Sequence, residues 1–213
     1  MLRSSSQFDR KNMKRLVVVI SLLALVPALA LACGKERWPV KTGTDKDAAK
    51  VNESPTPGTI NQLRQIQAPI NPDVRPDTRY SPVELTTYEL TGWVTVIKAE
   101  ADQDYHVVLA DAQNRTLIVE SPHPDCAKGS RFASQIADVR KTLDSTFGGP
   151  IQGRQQTRML VTVTGVGFFD RIHGQEGVAP NGIELHPLLQ VIAHQQQTLG
   201  DLKKAVRAKG EDH

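Results

Sequence analysis

The sequence lacks the short motifs that mark several common enzyme classes. It has no Gly-x-Ser-x-Gly elbow, and "KTGT" at residues 41–44 does not have the spacing of a phosphate-binding loop. No two histidines have the His-x-x-x-His spacing, and the two cysteines are far from a Cys-x-x-Cys pair. These absences exclude elbow-type serine hydrolases, P-loop nucleotide binding and locally encoded zinc motifs.

The chain also lacks a strong excess of charge once its first segment is set apart. The whole sequence has a net charge of +3, but residues 1–32 contain five basic residues and one acid. The remainder has 21 basic residues and 22 acids, so its net charge is −1. The basic character therefore belongs largely to the first segment and is not the signature of nucleic-acid binding.

The only long apolar run is short for a membrane span. It follows Met13-Lys14-Arg15, and 17 residues from Leu16 to Ala32 lie at the lower limit for crossing a bilayer. A basic start, an apolar centre and an Ala-x-Ala site predict a signal peptide over residues 1–32. An uncleaved membrane anchor is the alternative, but Pro27 and the Ala-x-Ala pattern favour cleavage. We therefore expect an exported protein, in the periplasm, outside the cell or lipid-anchored.

Two cysteines are present, and they allow two exclusive outcomes. Cys33 directly follows the predicted signal peptide, where a lipoprotein carries its lipid, although "ALAC" departs from the usual lipobox. An exported chain also permits a disulfide between Cys33 and Cys126. A lipidated sulfur cannot pair, so the sequence leaves lipidation and the disulfide open. Any contact with a membrane is expected only through the signal peptide or this lipid.

The remaining chain divides into three parts. Residues 33–82 are Pro-rich and predict an extended arm, in which Trp38 and Val40 dock and Thr59 caps a short helix. Residues 83–194 contain alternating apolar segments and predict one domain. Residues 195–213 predict a polar C-terminal tail.

The domain is predicted to be mostly β with one main helix. Strands are expected in "YELTGWVTVIKAE", "YHVVLAD", "TLIVES", "RMLVTVTGVGFFD" and "GIELHPLLQVIAH". Between the third and fourth, an apolar helical face is predicted, with Ser130 as its cap and Gly148 as its end; its residues are Phe132, Ile136, Val139, Leu143 and Phe147. The order β-β-β-α-β-β predicts an OB-like five-stranded barrel. An α+β sandwich is the alternative.

The ligand-binding loops of such a barrel would be residues 100–104 and 170–181. The second loop and the strand after it contain the candidate ligand-binding residues Asp170, His173, Asn181, Glu184 and His186. Four of these, without Asn181, are the candidate ligands of a metal ion. In the alternative interpretation, Glu184 and His186 line the solvated face of a half-buried strand, and Asn181-Gly182 is only a turn.

Two further chemistries are disfavoured. Aromatic residues make up 5% of the chain, and the second and third strands offer only Tyr105 and Arg115, which argues against nucleic-acid binding. A nucleophilic pair of Cys126 and His123 is also disfavoured. Two prolines flank His123, and they disfavour a local conformation in which its ring would hydrogen-bond to the thiol.

The segments "ERWPVKTGTDKDA", "DYHVVLAD" and "GVGFFDRIHGQEGVAPNGIELHP" resemble a family of secreted or lipid-anchored bacterial proteins of unknown function. The resemblance spans Glu36 to Val191 and implies a bacterial exported protein. The predicted barrel is also similar in fold to the thermonuclease family, but the acids and arginines of that family are not recognisable in this sequence.

These features favour a non-enzymatic binding or interaction module of the cell envelope, with a small ligand or an envelope partner. A metal-dependent, nuclease-like hydrolase that uses residues 170–186 is the second hypothesis. A purely structural envelope protein is the third.

Overall fold

The computed structural model describes residues 33–194; the predicted signal peptide and polar tail lie outside them. This part of the chain contains six strands: β1 (Asn52–Pro57), β2 (Thr86–Ala99), β3 (Tyr105–Ala110), β4 (Thr116–Ser121), β5 (Gln155–Phe169) and β6 (Ile183–Ala193). Its α-helices are α1 (Trp38–Thr42), α2 (Ile60–Leu63) and α3 (Ala133–Phe147), and four short 3-10 helices lie between the strands and helices. Between residues 33 and 194, no helix is long and apolar enough to cross a bilayer.

Five of the strands form a partly closed ring. Antiparallel pairs join β2 to β3, β3 to β4, β5 to β6 and β2 to β5. A short parallel pairing of β4 with β6 links the two ends. The helix α3 connects β4 to β5. The predicted OB-like order of three strands, a helix and two strands is therefore confirmed, in place of the sandwich.

The interior of the ring is apolar because alternate residues of each strand point inward. Val107, Val119 and Leu185 belong to this core, and Val139 and Leu143 of α3 pack against it. A second, smaller cluster forms where Phe132 and Ile136 meet Val51, Ala127 and Val166. The apolar face predicted for the helix is thus the face that it buries.

Of the two predicted ends of α3, only the C-terminal one is confirmed. Gly148, with a φ of 89°, ends the helix as predicted. Ser130 does not cap the helix, because its Oγ accepts a hydrogen bond from the N–H of Phe132 in the turn that precedes Ala133.

The arm, residues 33–82, lies on the barrel and has more secondary structure than expected. Its strand β1 pairs in parallel with β2, which adds a sixth strand to the five that the sequence predicts. Thr59 caps α2 as predicted: its Oγ accepts from the N–H of Gln62 at 3.2 Å, and the Gln62 side chain accepts from the N–H of Thr59 at 2.9 Å.

Two buried ion pairs and one disulfide fix the arm: one pair and the disulfide join it to the barrel, and the other pair lies within the arm. Arg37 donates two hydrogen bonds to Glu84, at 2.7 and 2.8 Å, and Arg79 donates to Asp45 at 2.7 Å. Cys33 and Cys126 form a disulfide across 93 residues. A loop of this length contributes about 4–5 kcal/mol on the chain-entropy model.

Candidate functional site

The outer wall of the barrel carries polar side chains where β3, β4 and β6 lie side by side. His106, Glu120, Glu184 and His186 alternate along these strands with core residues, so they face away from the interior. All four are nevertheless at most 8% exposed. The arm and the loop between β5 and β6 cover this wall.

Two hydrogen bonds show how the wall is covered. Nδ1 of His186 is 2.8 Å from the carbonyl oxygen of Lys41 in α1, and Nε2 of His106 is 2.8 Å from that of Glu176 in the β5–β6 loop. The interpretation that Glu184 and His186 line a solvated face is therefore wrong. The two do share a face, as their spacing predicts, but a distant segment of the chain buries that face.

His186 lies among oxygen atoms on both sides of its ring. Nδ1–H donates to the Lys41 carbonyl, while Nε2 is 3.0 Å from Oδ2 of Asp104 and 3.3 Å from Oε2 of Glu120. Burial lowers the pKa of His186, but the hydrogen bonds to Asp104 and Glu120 outweigh it and raise the pKa to about 10.

Glu120 lies between the two histidines. Its Oε1 is 2.8 Å from Nδ1 of His106. Burial raises the pKa of Glu120, and the hydrogen bonds from His106 and His186 reverse this effect, so the pKa lies well below its usual value. Burial also lowers the pKa of His106, but the hydrogen bond to Glu120 raises it overall. Glu120 is thus a buried carboxylate between two imidazoles, and each of these hydrogen bonds favours the charged forms of both partners.

The pKa of Glu184 is shifted in the opposite direction to that of Glu120. Burial, followed by repulsion from Glu120 and Asp170, raises its pKa well above the usual value. Its Oε2 is buried and has no hydrogen-bond partner among residues 33–194. Two neighbouring carboxyl groups, Glu120 and Glu184, therefore have pKa values that are pushed in opposite directions, which is typical of functional sites.

Lys41, which lies in the arm, adds a positive charge to this group of buried side chains. Its Nζ is 3.9 Å from Oδ2 of Asp170 and 4.0 Å from Oε2 of Glu120. Burial lowers the pKa of Lys41, but these carboxylates raise it overall. We use the name charged cluster for the buried residues Lys41, Asp104, His106, Glu120, Asp170, Glu184 and His186.

Three of the predicted site residues, Asp170, Glu184 and His186, belong to the charged cluster. His173 does not, because it is exposed on the loop, where its N–H donates to Oε1 of Gln175. The side chain of Asn181 donates to the carbonyl oxygens of Leu63 and Ile66, at 2.9 and 2.8 Å, and so holds the end of α2. The four predicted metal ligands are therefore not brought together as one set.

Three members of the charged cluster were not predicted: Lys41, His106 and Glu120; Asp104 lies in the predicted ligand-binding loop 100–104. Two of them carried a signal. His106 and Glu120 are ionisable residues within otherwise apolar strands, where burial requires a charged or hydrogen-bonding partner. Lys41 carried none, because its place depends on where the arm docks.

A cleft of about 670 Å³ opens above the charged cluster. Its walls come from the first residues of the arm, the β2–β3 loop and the β5–β6 loop, and Lys41, His106, Glu120 and Asp170 reach its floor. Six acids and three lysines line the cleft, together with Trp38 and His173. The cleft therefore offers charges of both signs, with acids in excess.

No protein-family model and no curated protein matches the chain. Several solved structures match it. One is a structure from Leishmania major Friedlin assigned as an aspartyl-tRNA synthetase, at 14% sequence identity and a TM-score of 0.39. The match covers 70% of this chain and 23% of that chain, so this chain spans less than a quarter of the synthetase.

Proposed function

We propose that the protein is a binding module of the bacterial cell envelope whose cleft takes a short oligosaccharide. One observation carries this proposal: a polar cleft with buried charges in its floor lies on the outer face of β3 and β4. OB barrels bind their ligands at the equivalent strands, between the loops that here are 100–104 and 170–181.

The lining of the cleft favours a saccharide over the other ligand class of OB barrels, the oligonucleotide. Six acids against three lysines would repel a chain of phosphates. A saccharide carries hydroxyl groups that both donate and accept, which suits side chains of both signs.

Trp38 supplies the apolar surface that such a ligand requires. The ring is half-buried and packs closely against Gly34, where a methyl group would overlap it. An indole held in this way offers a rigid apolar face at one wall of the cleft.

Export rests on the predicted signal peptide and is supported by the disulfide. Disulfides persist in oxidising compartments, and Cys33–Cys126 joins the first described residue of the chain to the barrel. In this disulfide-bonded form Cys33 cannot carry a lipid, so the proposal is an exported protein that is not anchored through this residue. The mass of the mature protein, with and without reduction, tests both points.

The two tryptophans give the binding experiment a matched control. Trp38 lines the cleft, whereas Trp93 lies in a separate small pocket beside Arg158. Trp93→Phe leaves Trp38 as the only indole, and Trp38→Phe leaves only Trp93.

Both variants are titrated with chito-oligosaccharides and soluble peptidoglycan fragments. We expect saturable fluorescence changes in Trp93→Phe and none in Trp38→Phe. Equal fluorescence changes in the two variants would overturn the proposal. It would also be overturned if Trp93→Phe gave no response at millimolar saccharide but bound an oligonucleotide saturably.

A further inference from the structure

We propose that Asp104, Glu120 and His186 bind one divalent transition-metal ion, of which Zn²⁺ is the best match, beneath the floor of the cleft. The three residues come from the β2–β3 loop, β4 and β6, and all are buried. This inference goes beyond the proposed function, because the ion would bind whether or not a saccharide occupies the cleft.

The spacing of the ligand atoms supports the proposal. One atom from each of the three residues lies within 4.8 Å of the others, and Nε2 of His186 is 3.0 and 3.3 Å from the two carboxylate oxygens. Ligands bound at about 2.0–2.2 Å lie roughly 3.0–3.5 Å apart around a tetrahedral or octahedral ion. The two distances from Nε2 of His186 therefore match coordination spacing, and one imidazole with two carboxylates suits Zn²⁺ better than Ca²⁺ or Mg²⁺.

The orientation of His186 is that of a metal ligand. The hydrogen bond from Nδ1–H to the Lys41 carbonyl fixes the ring and directs Nε2 at the two carboxylates. Histidines that bind metals usually donate their second ring nitrogen in this way. The arm thus supplies a supporting contact without contributing a ligand atom.

A second, independent observation that supports a metal site is the presence of buried carboxyl oxygens without a hydrogen-bond partner in the described chain. Oδ1 of Asp104 and Oε2 of Glu184 are buried without a hydrogen-bond partner in the described chain, and each residue is 1% exposed. In the charged cluster, four carboxyl groups meet one lysine and two histidines. Buried carboxyl oxygens that accept no hydrogen bond are costly, and a bound divalent cation would offset that cost.

The experiment measures metal binding by the mature protein after treatment with a chelator. Zn²⁺ is titrated by calorimetry, with Mn²⁺ and Ca²⁺ in parallel, and no saccharide is present. We expect one Zn²⁺ per chain, a higher unfolding temperature with Zn²⁺, and binding at least about 100-fold weaker in Asp104→Asn and Glu120→Gln.

Asp102→Asn is the matched control, since it makes the same change two residues away and keeps the oxygen that accepts from the N–H of Asp104. It should bind Zn²⁺ as the wild type does. Binding that persists in Asp104→Asn and Glu120→Gln but disappears in His173→Ala would overturn the proposal, as would a folded wild-type protein without a Zn²⁺ site.

A second measurement needs no variant that disturbs the fold. X-ray absorption of the Zn²⁺-loaded wild type should show one imidazole among oxygen ligands. A sulfur ligand, or two or more imidazoles, would contradict the assignment. Failure of metal binding would leave the saccharide proposal intact, because the fluorescence titration reads Trp38 and not these three residues.

Discussion

Two groups of buried charges lie where the arm meets the barrel, and they differ in how completely their polar atoms have hydrogen-bond partners. In the pairs Arg37–Glu84 and Arg79–Asp45, a planar guanidinium donates to both oxygens of one carboxylate, and further guanidinium N–H groups donate to backbone carbonyls. In the charged cluster, four carboxyl groups meet one lysine and two histidines, and Oδ1 of Asp104, Oδ1 of Asp170 and Oε2 of Glu184 have no hydrogen-bond partner among residues 33–194.

The comparison separates the charges that define the structure from those that are available for chemistry. A matched ion pair satisfies its own hydrogen-bonding groups and sets where the arm docks. An unmatched cluster next to a cleft has pKa values moved in both directions, which is expected where a ligand or an ion completes the site.

The largest expected effect comes from breaking a matched pair. Arg37→Met leaves Glu84 buried without its cation, so we expect the free energy of unfolding to fall by about 3–5 kcal/mol in urea denaturation. Arg171→Met is the control, because the Arg171–Glu36 pair is exposed and its loss should cost less than about 1 kcal/mol. Equal losses in the two variants would remove the distinction between the matched pairs and an ordinary surface contact.

The charged cluster should give the protein a pH-dependent stability. His186 faces Asp104, Glu120 and the Lys41 carbonyl, and its pKa is raised from 6.5 to about 10 in the folded chain. The stabilisation is complete below pH 6.5 and is lost as the pH rises towards 10.

Without metal, the free energy of unfolding should therefore decrease by about 1–3 kcal/mol between pH 6.5 and 9.5. The raised pKa of Glu184 gives a contribution of the same sign, which is complete below pH 4.5 and is lost as the pH rises through its folded pKa. Urea denaturation in the presence of a chelator measures the change between pH 6.5 and 9.5. A flat or rising profile there would mean that His186 does not hold its additional proton in the folded state.

The smallest effect is expected at Glu184. Because burial and its acidic neighbours raise the pKa of this carboxyl and so favour its neutral form, Glu184→Gln should change the free energy of unfolding by less than about 1 kcal/mol at pH 7. Glu120→Gln makes the same change on β4 and should cost several times more, because Glu120 is ionised between two imidazoles. Similar costs for the two would show that their charge states are alike.

The barrel could be predicted from local patterns. Alternation along the strands and the three-to-four spacing of α3 depend only on which face is buried, and both survive in the structure. The strand β1 could not be predicted in this way. Its sequence "NESPTP" has two prolines and is exposed throughout, and it pairs only with residues near the start of β2.

Only part of the charged cluster could be predicted from the sequence, and the reason differs from that for β1. The spacing of Glu184 and His186 indicates a shared face, but nothing near them in sequence shows that it is buried. The contact that buries His186 comes from Lys41, 145 residues earlier. Which acids then meet His186 is decided by the closure of the ring, and that brings in Asp104 and Glu120 in place of His173.

Cys33 belongs both to the disulfide and to the wall of the cleft. If the signal peptide is removed directly before it, this residue is also the first of the mature chain. Reduction would then turn one wall of the cleft into a free chain end, held from Arg37 onward. In terms of the proposed function, the affinity of the cleft would then depend on the thiol redox state around the protein.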